Sequence, residues 1–344
     1  MKFSYNTNVV AKLVLTIEFD PQQQLSVLSD IMYQILSKHR EKKYSQGNLE
    51  IIATFLIFGV KGKNIKLTID TEIQKLTNDL LKDKSGSIVV MDIFTGEIVA
   101  MHSSPSFDPN LFFHGISNKD WKEIRENPLK PLVNKTVSGL YSPGSTIKPL
   151  VALSALENDV ISPNLTIECT GKTELYGQTY HCWKEKGHGL LKLRDGIKQS
   201  CDIYFYEVAR RLGVDRLAIT ANKFGLGNRV LNILNEERAG LVPSTKWKRE
   251  NIGNGWVLGE TLLAGIGQGY FQATPLQLCL MMAQLSNGGY EIKPRIIDDK
   301  YAVQSIINSW RKEFSSKNNA NILNNSGLKK LYRNQENIKF SKTN

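Results

Sequence analysis

Apolar and polar residues alternate over two short stretches that a glycine-containing turn separates. Ile88–Met91 and Ile98–Met101 are the apolar arms, and Asp92–Glu97, which contains Gly96, joins them. Alternation with a period of two is typical of a strand with one buried face, and glycine marks a turn. The pattern therefore predicts a β-hairpin over residues 87–103.

Other stretches have the apolar spacing of helices, and several begin at capping residues. The predicted helices run from Asp70 to about Lys82, onward from Ser145, from about Asp195, from Asp202 to Leu212, and from Thr274 to Leu285. Nearer the chain ends, the pattern predicts a strand over Leu13–Phe19, a helix after Pro21 and a weak helix around Trp310. We find no internal repeat.

Composition divides the chain into three segments. Residues 1–61 form an atypical N-terminal segment, and a polar joint at Lys61–Lys66 leads into residues 62–300, where most predicted elements lie. Residues 301–344 are a polar tail rich in Asn, Lys and Ser. A length of 344 residues suits one large domain with an appendage, or two domains.

The charge balance is basic, because 44 Lys and Arg against 33 Asp and Glu give a net charge of +11. One interpretation is an anionic partner such as a membrane or a cell-wall polymer, and the other is drift in a Lys-rich and Asn-rich chain. The basic residues are scattered and lack aromatic platforms, so we expect no nucleic-acid partner.

The longest apolar run, Ile51–Val60, is too short to cross a bilayer. The apolar core that a signal peptide requires is interrupted near the N-terminus by Asn6, Asn8 and Lys12. We therefore expect neither an anchor nor a signal peptide in this chain.

The segment Ser145-Thr-Ile-Lys148 stands between a Pro-Gly turn and the apolar stretch Leu150–Leu156. At the first turn of a helix, residues three apart share a face, so the Lys148 amine would lie within reach of the Ser145 hydroxyl. A serine becomes a good nucleophile when a neighbouring base accepts its proton, and a lysine can be that base. The pair predicts covalent catalysis. Ser326-Gly-Leu-Lys329 has the same spacing without such flanks, and we interpret it as accidental.

Three of the four cysteines and one histidine fall within a short region. Their order is Cys169-x12-Cys182-x5-His188-x12-Cys201. Three thiolates and an imidazole form a closed tetrahedral set of the kind that zinc prefers. Inert buried cysteines and disulfides are the alternatives, although an odd count of three does not favour pairing. We interpret the set as a zinc site, with His181 as the alternative to His188, and assign Cys279 to the apolar core.

Several segments together resemble the transpeptidase domain of class B penicillin-binding proteins, and within that family the penicillin-binding protein 2 group. Besides Ser145-Thr-Ile-Lys148, the matching segments are Leu67–Asp70 with Gln74, Val90–Glu97 with Ala100, Pro105–Asn110, Gly265–Tyr270 and Ala273–Pro275. They occur in the family's order within residues 62–300, and Ser-x-x-Lys is a signature of the family. The resemblance implies an α/β (α+β) penicillin-binding/transpeptidase (serine β-lactamase-like) fold, which is an antiparallel sheet flanked by helices.

Ser200-Cys201-Asp202 resembles the family's second motif. The resemblance implies that Ser145 is acylated, that Lys148 takes its proton and that Ser200 passes a proton to the leaving amine. The alternative interpretation of Ser200 and Asp202 is a helix cap, a position that both residue types favour. Some members of the penicillin-binding protein 2 group hold zinc at positions matching the four Cys and His residues, so the resemblance also supports a structural zinc.

The family's third motif, Lys-Thr/Ser-Gly on a strand after the Thr274 helix, is not found, and we interpret Lys342-Thr-Asn344 as coincidence. We therefore expect a fold that is incomplete at the C-terminus and a chain that is non-catalytic by itself. The alternatives are the active half of a split transpeptidase completed by another chain, and a penicillin-sensing binding domain.

The resemblance further implies a role in peptidoglycan cross-linking by acyl-serine transfer from D-Ala-D-Ala stem peptides. Stem peptides and β-lactams are the implied ligands, and membrane proteins of the cell-elongation complex are the implied partners. The implied location is the cytoplasmic membrane, with the catalytic domain in the periplasm.

Overall fold

A computed structural model describes residues 65–112 and 115–298 of the chain. The predicted strand at 13–19, the helix after residue 21 and the weak helix around residue 310 lie outside these described residues. The chain forms two compact units, which are Met1–Leu67 with Pro109–Ile116, and Thr68–Asp108 with Ser117–Asn344. The first unit includes a short 3-10 helix at Pro109–Phe112. All elements described below belong to the second unit.

The second unit combines helices with short antiparallel strands. Its α-helices are α1 (Thr71–Leu80), α2 (Asn118–Glu126), α3 (Lys135–Ser138), α4 (Lys148–Glu157), α5 (Leu193–Lys198), α6 (Asp202–Leu212), α7 (Val214–Lys223), α8 (Thr245–Asn251), α9 (Leu258–Gly265) and α10 (Pro275–Ser286). Its strands are β1 (Gly86–Met91), β2 (Ile98–Ser104), β3 (Ile167–Cys169), β4 (Lys172–Leu175), β5 (Gln178–His181) and β6 (Gly189–Leu191). Among the described helices, none has the length and apolar character that a bilayer span requires.

The predicted hairpin is confirmed. β1 pairs antiparallel with β2, with Val90 opposite Ala100 and a bulge between Val90 and Met91. Ile98 and Ala100 are completely buried, since alternate residues of β2 point into the core. After α10 the chain runs back beside this hairpin, and the main chain of Arg295 forms an isolated parallel β-bridge with that of Glu97.

The other four strands form two small antiparallel pairs that sequence analysis missed. β3 pairs with β6, and β4 pairs with β5. Each strand has only three or four residues, and most of these are exposed or half-buried. Such short and polar strands have no apolar alternation to reveal them.

The main core surrounds α4. Leu150, Val151, Leu153 and Leu156 are completely buried, and they pack in one apolar cluster with residues of α6, α7 and α9. A helix that is apolar on all sides is typical of a protein interior. The predicted helices α1, α4, α5, α6 and α10 are confirmed, whereas α2, α3, α7, α8 and α9 were not predicted.

Candidate active site and metal centre

Ser145 lies in a 3-10 turn, Gly144–Ile147, that leads directly into α4. The α-helix predicted to follow Ser145 begins at Lys148, directly after this 3-10 turn. In a 3-10 turn, residues i and i+3 are eclipsed, so Ser145 and Lys148 still share a face. The Lys148 N–H donates to the Ser145 carbonyl oxygen, which closes the turn. Ser145 is exposed, whereas Lys148 is buried.

The Gly144–Ile147 turn is held in place by a neighbouring extended segment. Tyr141 and Ala273 exchange two main-chain hydrogen bonds of 3.0 and 2.9 Å, and the Gly144 N–H donates to the Gly267 carbonyl oxygen at 2.9 Å. Gly267 has a φ of +71°, and a Cβ there would overlap the main chain of Gly144. Only glycine suits this close approach. The segment around Gly267 that resembles the family therefore supports the turn that presents Ser145.

Lys148 is almost completely buried, with 1% of its surface exposed, and its ammonium lies among three oxygen acceptors. Its Nζ is 2.7 Å from Asp202 Oδ1, 2.8 Å from the Ser200 carbonyl oxygen and 3.1 Å from Ser200 Oγ. An ammonium has three donors and no acceptor, so these oxygens satisfy it. The structure thus brings Lys148, Ser200 and Asp202 into one polar cluster, as the resemblance implies.

The helix-cap interpretation of Ser200 and Asp202 was wrong. The residue at the N-cap of α6 is Cys201, whose Sγ accepts the Tyr204 N–H at 3.5 Å. Asp202 instead pairs with Lys148, and its other oxygen, Oδ2, accepts the main-chain N–H of Trp183 at 3.0 Å. Its place in the first turn of α6 also lets the helix dipole favour its negative charge.

Trp183 is a contributor to the site that sequence reasoning missed. Its indole Nε1–H donates to the carbonyl oxygens of Gln199 and Ser200, at 3.2 and 3.1 Å. These contacts join positions 16 and 17 residues apart in sequence, so no local pattern indicated them. Its place directly after Cys182 was the one available signal.

The four predicted metal ligands lie together. The sulfur atoms of the three cysteines and a ring nitrogen of His188 all lie within 4.8 Å of one another, and the set is Cys169, Cys182, His188 and Cys201. His188 Nδ1 is 3.5 Å from both Cys169 Sγ and Cys182 Sγ. His181 is exposed at the end of β5 and is not part of the cluster, and Cys279 lies elsewhere, on α10.

This donor set fits a tetrahedral zinc ion. With zinc–sulfur bonds of about 2.3 Å and zinc–nitrogen bonds of about 2.0 Å, tetrahedral geometry places sulfur and nitrogen about 3.5 Å apart. Burial lowers the pKa of His188, with further lowering by Lys184 and Lys148 and an opposing effect of Asp202. This keeps the imidazole in the neutral form that binds metals. Burial also raises the pKa of the Cys201 thiol, so a thiolate there needs a compensating cation.

The chain is similar to a known family and to several known proteins. Residues 86–334 match the family described as the penicillin binding protein transpeptidase domain. Peptidoglycan D,D-transpeptidase MrdA of Escherichia coli strain K12 is 41% identical over 238 residues, which cover 69% of this chain and 38% of that protein. MrdA of Haemophilus influenzae is 40% identical over 240 residues, which cover 69% of this chain and 37% of that protein.

Solved structures show the same similarity. The crystal structure of Pseudomonas aeruginosa PBP2 in complex with WCK 5153 superposes with a TM-score of 0.68 at 42% identity, covering 70% of this chain and 53% of that one. Helicobacter pylori PBP2, solved in complex with MreC, has a TM-score of 0.66 at 30% identity, covering 72% of this chain and 50% of that one. The chain spans less than two fifths of the length of the two curated relatives above.

Proposed function

The chain belongs to the penicillin-binding protein transpeptidase family, and from that membership we propose that it carries the acylation centre of a peptidoglycan D,D-transpeptidase. The observation that carries the proposal is an exposed Ser145 one 3-10 turn before a buried Lys148, whose Nζ is bound by Ser200 and Asp202. A serine, a lysine one turn away and a second hydroxyl together supply a nucleophile, a base and a proton relay.

The proposed reaction begins when Ser145 Oγ attacks the carbonyl carbon between two D-alanines of a stem peptide. The Lys148 ammonium first releases a proton to solvent, and the resulting neutral amine takes the serine proton. The Ser145 main-chain N–H stabilises the oxyanion. Ser200 Oγ, 3.1 Å from Lys148 Nζ, passes the proton to the departing D-alanine amine. An amine of a second stem peptide then attacks the acyl carbon and forms the amide cross-link while the bond from that carbon to Ser145 Oγ breaks. The proton that the amine loses returns through Lys148 to Ser145 Oγ, which regenerates the serine. β-Lactams would acylate the same oxygen.

Labelling with a fluorescent penicillin tests this proposal. The sequence after α10 has no Lys-Thr/Ser-Gly. Because losing one oxyanion donor typically slows acyl transfer by about two to three orders of magnitude, we expect slow labelling of this chain that needs long incubation. Ser145→Ala should abolish the labelling, and Ser142→Ala, which changes an exposed serine just before the turn, should retain it. Equal labelling of the parent chain and Ser145→Ala would rule out Ser145 as the nucleophile.

We also propose that Cys169, Cys182, His188 and Cys201 hold a structural zinc ion. Its support is the fit of the donor set, in which two sulfur–nitrogen distances are 3.5 Å. When bound, the ion would supply a cross-link rather than a reactive group, since four protein ligands leave no open position. The cross-link would join β3, the end of β5, the loop before β6 and the N-cap of α6, next to Ser200 and Asp202.

The location and partners of the chain are proposed from its relatives. The Helicobacter pylori relative was solved together with MreC. We propose that this chain likewise acts in the periplasm with membrane proteins of the cell-elongation complex. Co-purification of the tagged chain with an MreC-type protein from its own organism tests this, with Ser145→Ala as a variant that should still bind.

A further inference from the structure

Trp183 is an exposed aromatic residue whose two N–H groups both donate hydrogen bonds. The residue is 64% exposed, so burial of its ring is not what holds it in place. Its indole N–H is shared between the carbonyl oxygens of Gln199 and Ser200, and its main-chain N–H binds Asp202. Both donors of Trp183 are thus directed at the segment that carries the second motif.

Trp183 and Lys148 share the same acceptors. The Ser200 carbonyl oxygen accepts Lys148 Nζ at 2.8 Å and Trp183 Nε1 at 3.1 Å. The Asp202 carboxylate accepts Lys148 Nζ at 2.7 Å through Oδ1 and the Trp183 N–H at 3.0 Å through Oδ2. The second motif is therefore held between a buried lysine on one side and an exposed tryptophan on the other.

The main chain at Ser200 depends on such contacts. Its φ is +50°, a left-handed conformation that residues other than glycine rarely adopt. Such conformations persist where surrounding contacts hold them, and they concentrate at functional sites. Without the indole N–H, the Ser200 carbonyl would lose one of the two donors that fix its direction.

We propose that Trp183 is a positioning residue that fixes the Ser200 carbonyl and the Asp202 carboxylate around Lys148 Nζ. Its importance for the reaction rests on the proposed acylation by Ser145, whereas the positioning itself does not. Trp183 also follows the proposed zinc ligand Cys182, and its ring contacts that of His188 edge-on at 5.2 Å. The competing explanation is that Trp183 only stabilises this loop, without an effect on Ser200.

Selective isotope labelling separates the two explanations without any need for acylation. Ser200–Cys201 is the single Ser–Cys step in the sequence, so carbonyl-13C serine with 15N cysteine gives one signal, which reports the Ser200 carbonyl. Trp183→Phe removes the indole N–H and keeps an aromatic ring and the main-chain N–H. The matched control is Trp121→Phe, the same change on α2. We expect the Ser200 carbonyl resonance to move in Trp183→Phe and to stay in place in Trp121→Phe.

A measurement on the parent chain covers the case in which Trp183→Phe does not fold. The Trp183 indole N–H should exchange with water at least about fivefold more slowly than a free indole, the factor that a net hydrogen-bond free energy of about 1 kcal/mol gives. Cys182–Trp183 is the single Cys–Trp step in the sequence, so selective labelling identifies the main-chain N–H of Trp183. The indole signal of Trp183 is then assigned by its proximity to that N–H. An unprotected indole N–H, or an unmoved Ser200 carbonyl in folded Trp183→Phe, would overturn the proposal. Failed penicillin labelling with both signatures present would count against the acylation alone.

Discussion

Among the described residues, Lys148 and Lys248 are both buried beside a carboxylate, yet their surroundings differ. Lys248 Nζ is 2.6 Å from Glu260 Oε1 and about equally close to two aromatic rings, 5.9 Å from that of Trp256 and 6.0 Å from that of Tyr270. That environment holds a cation and offers no nucleophile. Lys148 instead binds a serine hydroxyl and follows Ser145 by one turn, which suits proton transfer.

Removing the charge of Asp202 should destabilise the fold strongly. Asp202→Asn leaves the Lys148 ammonium buried without a counter-charge, and breaking a buried pair in this way costs about 3–5 kcal/mol. Chemical denaturation of the metal-loaded protein measures the loss. Glu250→Gln is the matched control, because its pair with Lys246 is exposed and long at 3.9 Å, and it should cost less than about 1 kcal/mol. Similar losses in both variants would contradict the assignment of Lys148–Asp202 as a buried charge pair.

A second residue-scale prediction concerns pH. Burial raises the pKa of Glu157 from its ordinary value of 4.5, with a smaller opposing effect of Lys223. Glu157 Oε1 is buried and has no hydrogen-bond partner among the residues that the structure describes. The folded state therefore binds this proton more tightly than the unfolded state. Its contribution to stability is complete below pH 4.5 and is lost as the pH rises through the raised pKa.

Glu157→Gln should accordingly raise the free energy of unfolding at pH 7 by up to about 1 kcal/mol, the low end of the cost of a buried unpaired polar atom. The gain should shrink at pH 4, where Glu157 is already protonated. Glu123→Gln, on the exposed face of α2, should show neither effect. A gain for Glu157→Gln that does not depend on pH would show that its charge is not the cause.

At the scale of elements, the contact between the Gly144–Ile147 turn and the segment after α9 determines how Ser145 is presented. Gly267→Ala would force a Cβ against the Gly144 main chain and should displace the turn that carries Ser145. We expect a loss of about 1–3 kcal/mol in unfolding free energy and a loss of penicillin labelling. Gly269→Ala is the matched control, since its φ of +72° imposes the same backbone strain but its Cβ would meet only Leu263, at 3.5 Å. Equal effects would mean that strain, and not the contact, matters.

At the scale of the whole second unit, two apolar clusters support different parts of the structure. One contains α4 and α6 and surrounds the site, with Cys169, Cys182 and Cys201 among its buried members. The other joins the β1–β2 hairpin to α10, with Ile98 and Leu276 at its centre. A metal at the cysteines would therefore stabilise the first cluster directly.

The purified chain should carry about one zinc ion, and chelation should lower its melting temperature, because binding energy at such sites becomes folding energy. Hydrogen exchange should then accelerate most in β3, β6 and the first turn of α6, and least in the β1–β2 hairpin. Cys201→Ser should reproduce the loss of metal, whereas Cys279→Ser, which changes the cysteine outside the cluster, should keep the metal. The zinc site would be refuted if the purified protein contained no metal and a chelator left its melting temperature unchanged.

Much of the candidate site could be predicted because its members are marked locally. Ser145 and Lys148 are three residues apart, Ser200 and Asp202 are two apart, and the four metal ligands lie within 33 positions, from 169 to 201. The β1–β2 hairpin and α10 also carry their own signals, namely alternation around a glycine and a Thr274–Gln277 capping box. The short strands β3 to β6 have neither apolar alternation nor a capping pattern, so they were not predicted.

The sequence by itself therefore determined the family and the helices whose apolar spacing or caps are local, and it was enough to predict the proposed nucleophile, its proposed base and the proposed metal-ligand set. Only the tertiary structure decided that Cys201 and not Ser200 caps α6, that Trp183 reaches the second motif and that Gly267 supports the Ser145 turn. The physical reason is the range of the interactions. Spacing acts within one or two turns of chain, whereas Trp183 contacts Ser200 from 17 positions away and Gly267 contacts Gly144 only through the tertiary fold. The role of Asp202 is likewise decided by the tertiary fold, because it pairs with Lys148, 54 positions away.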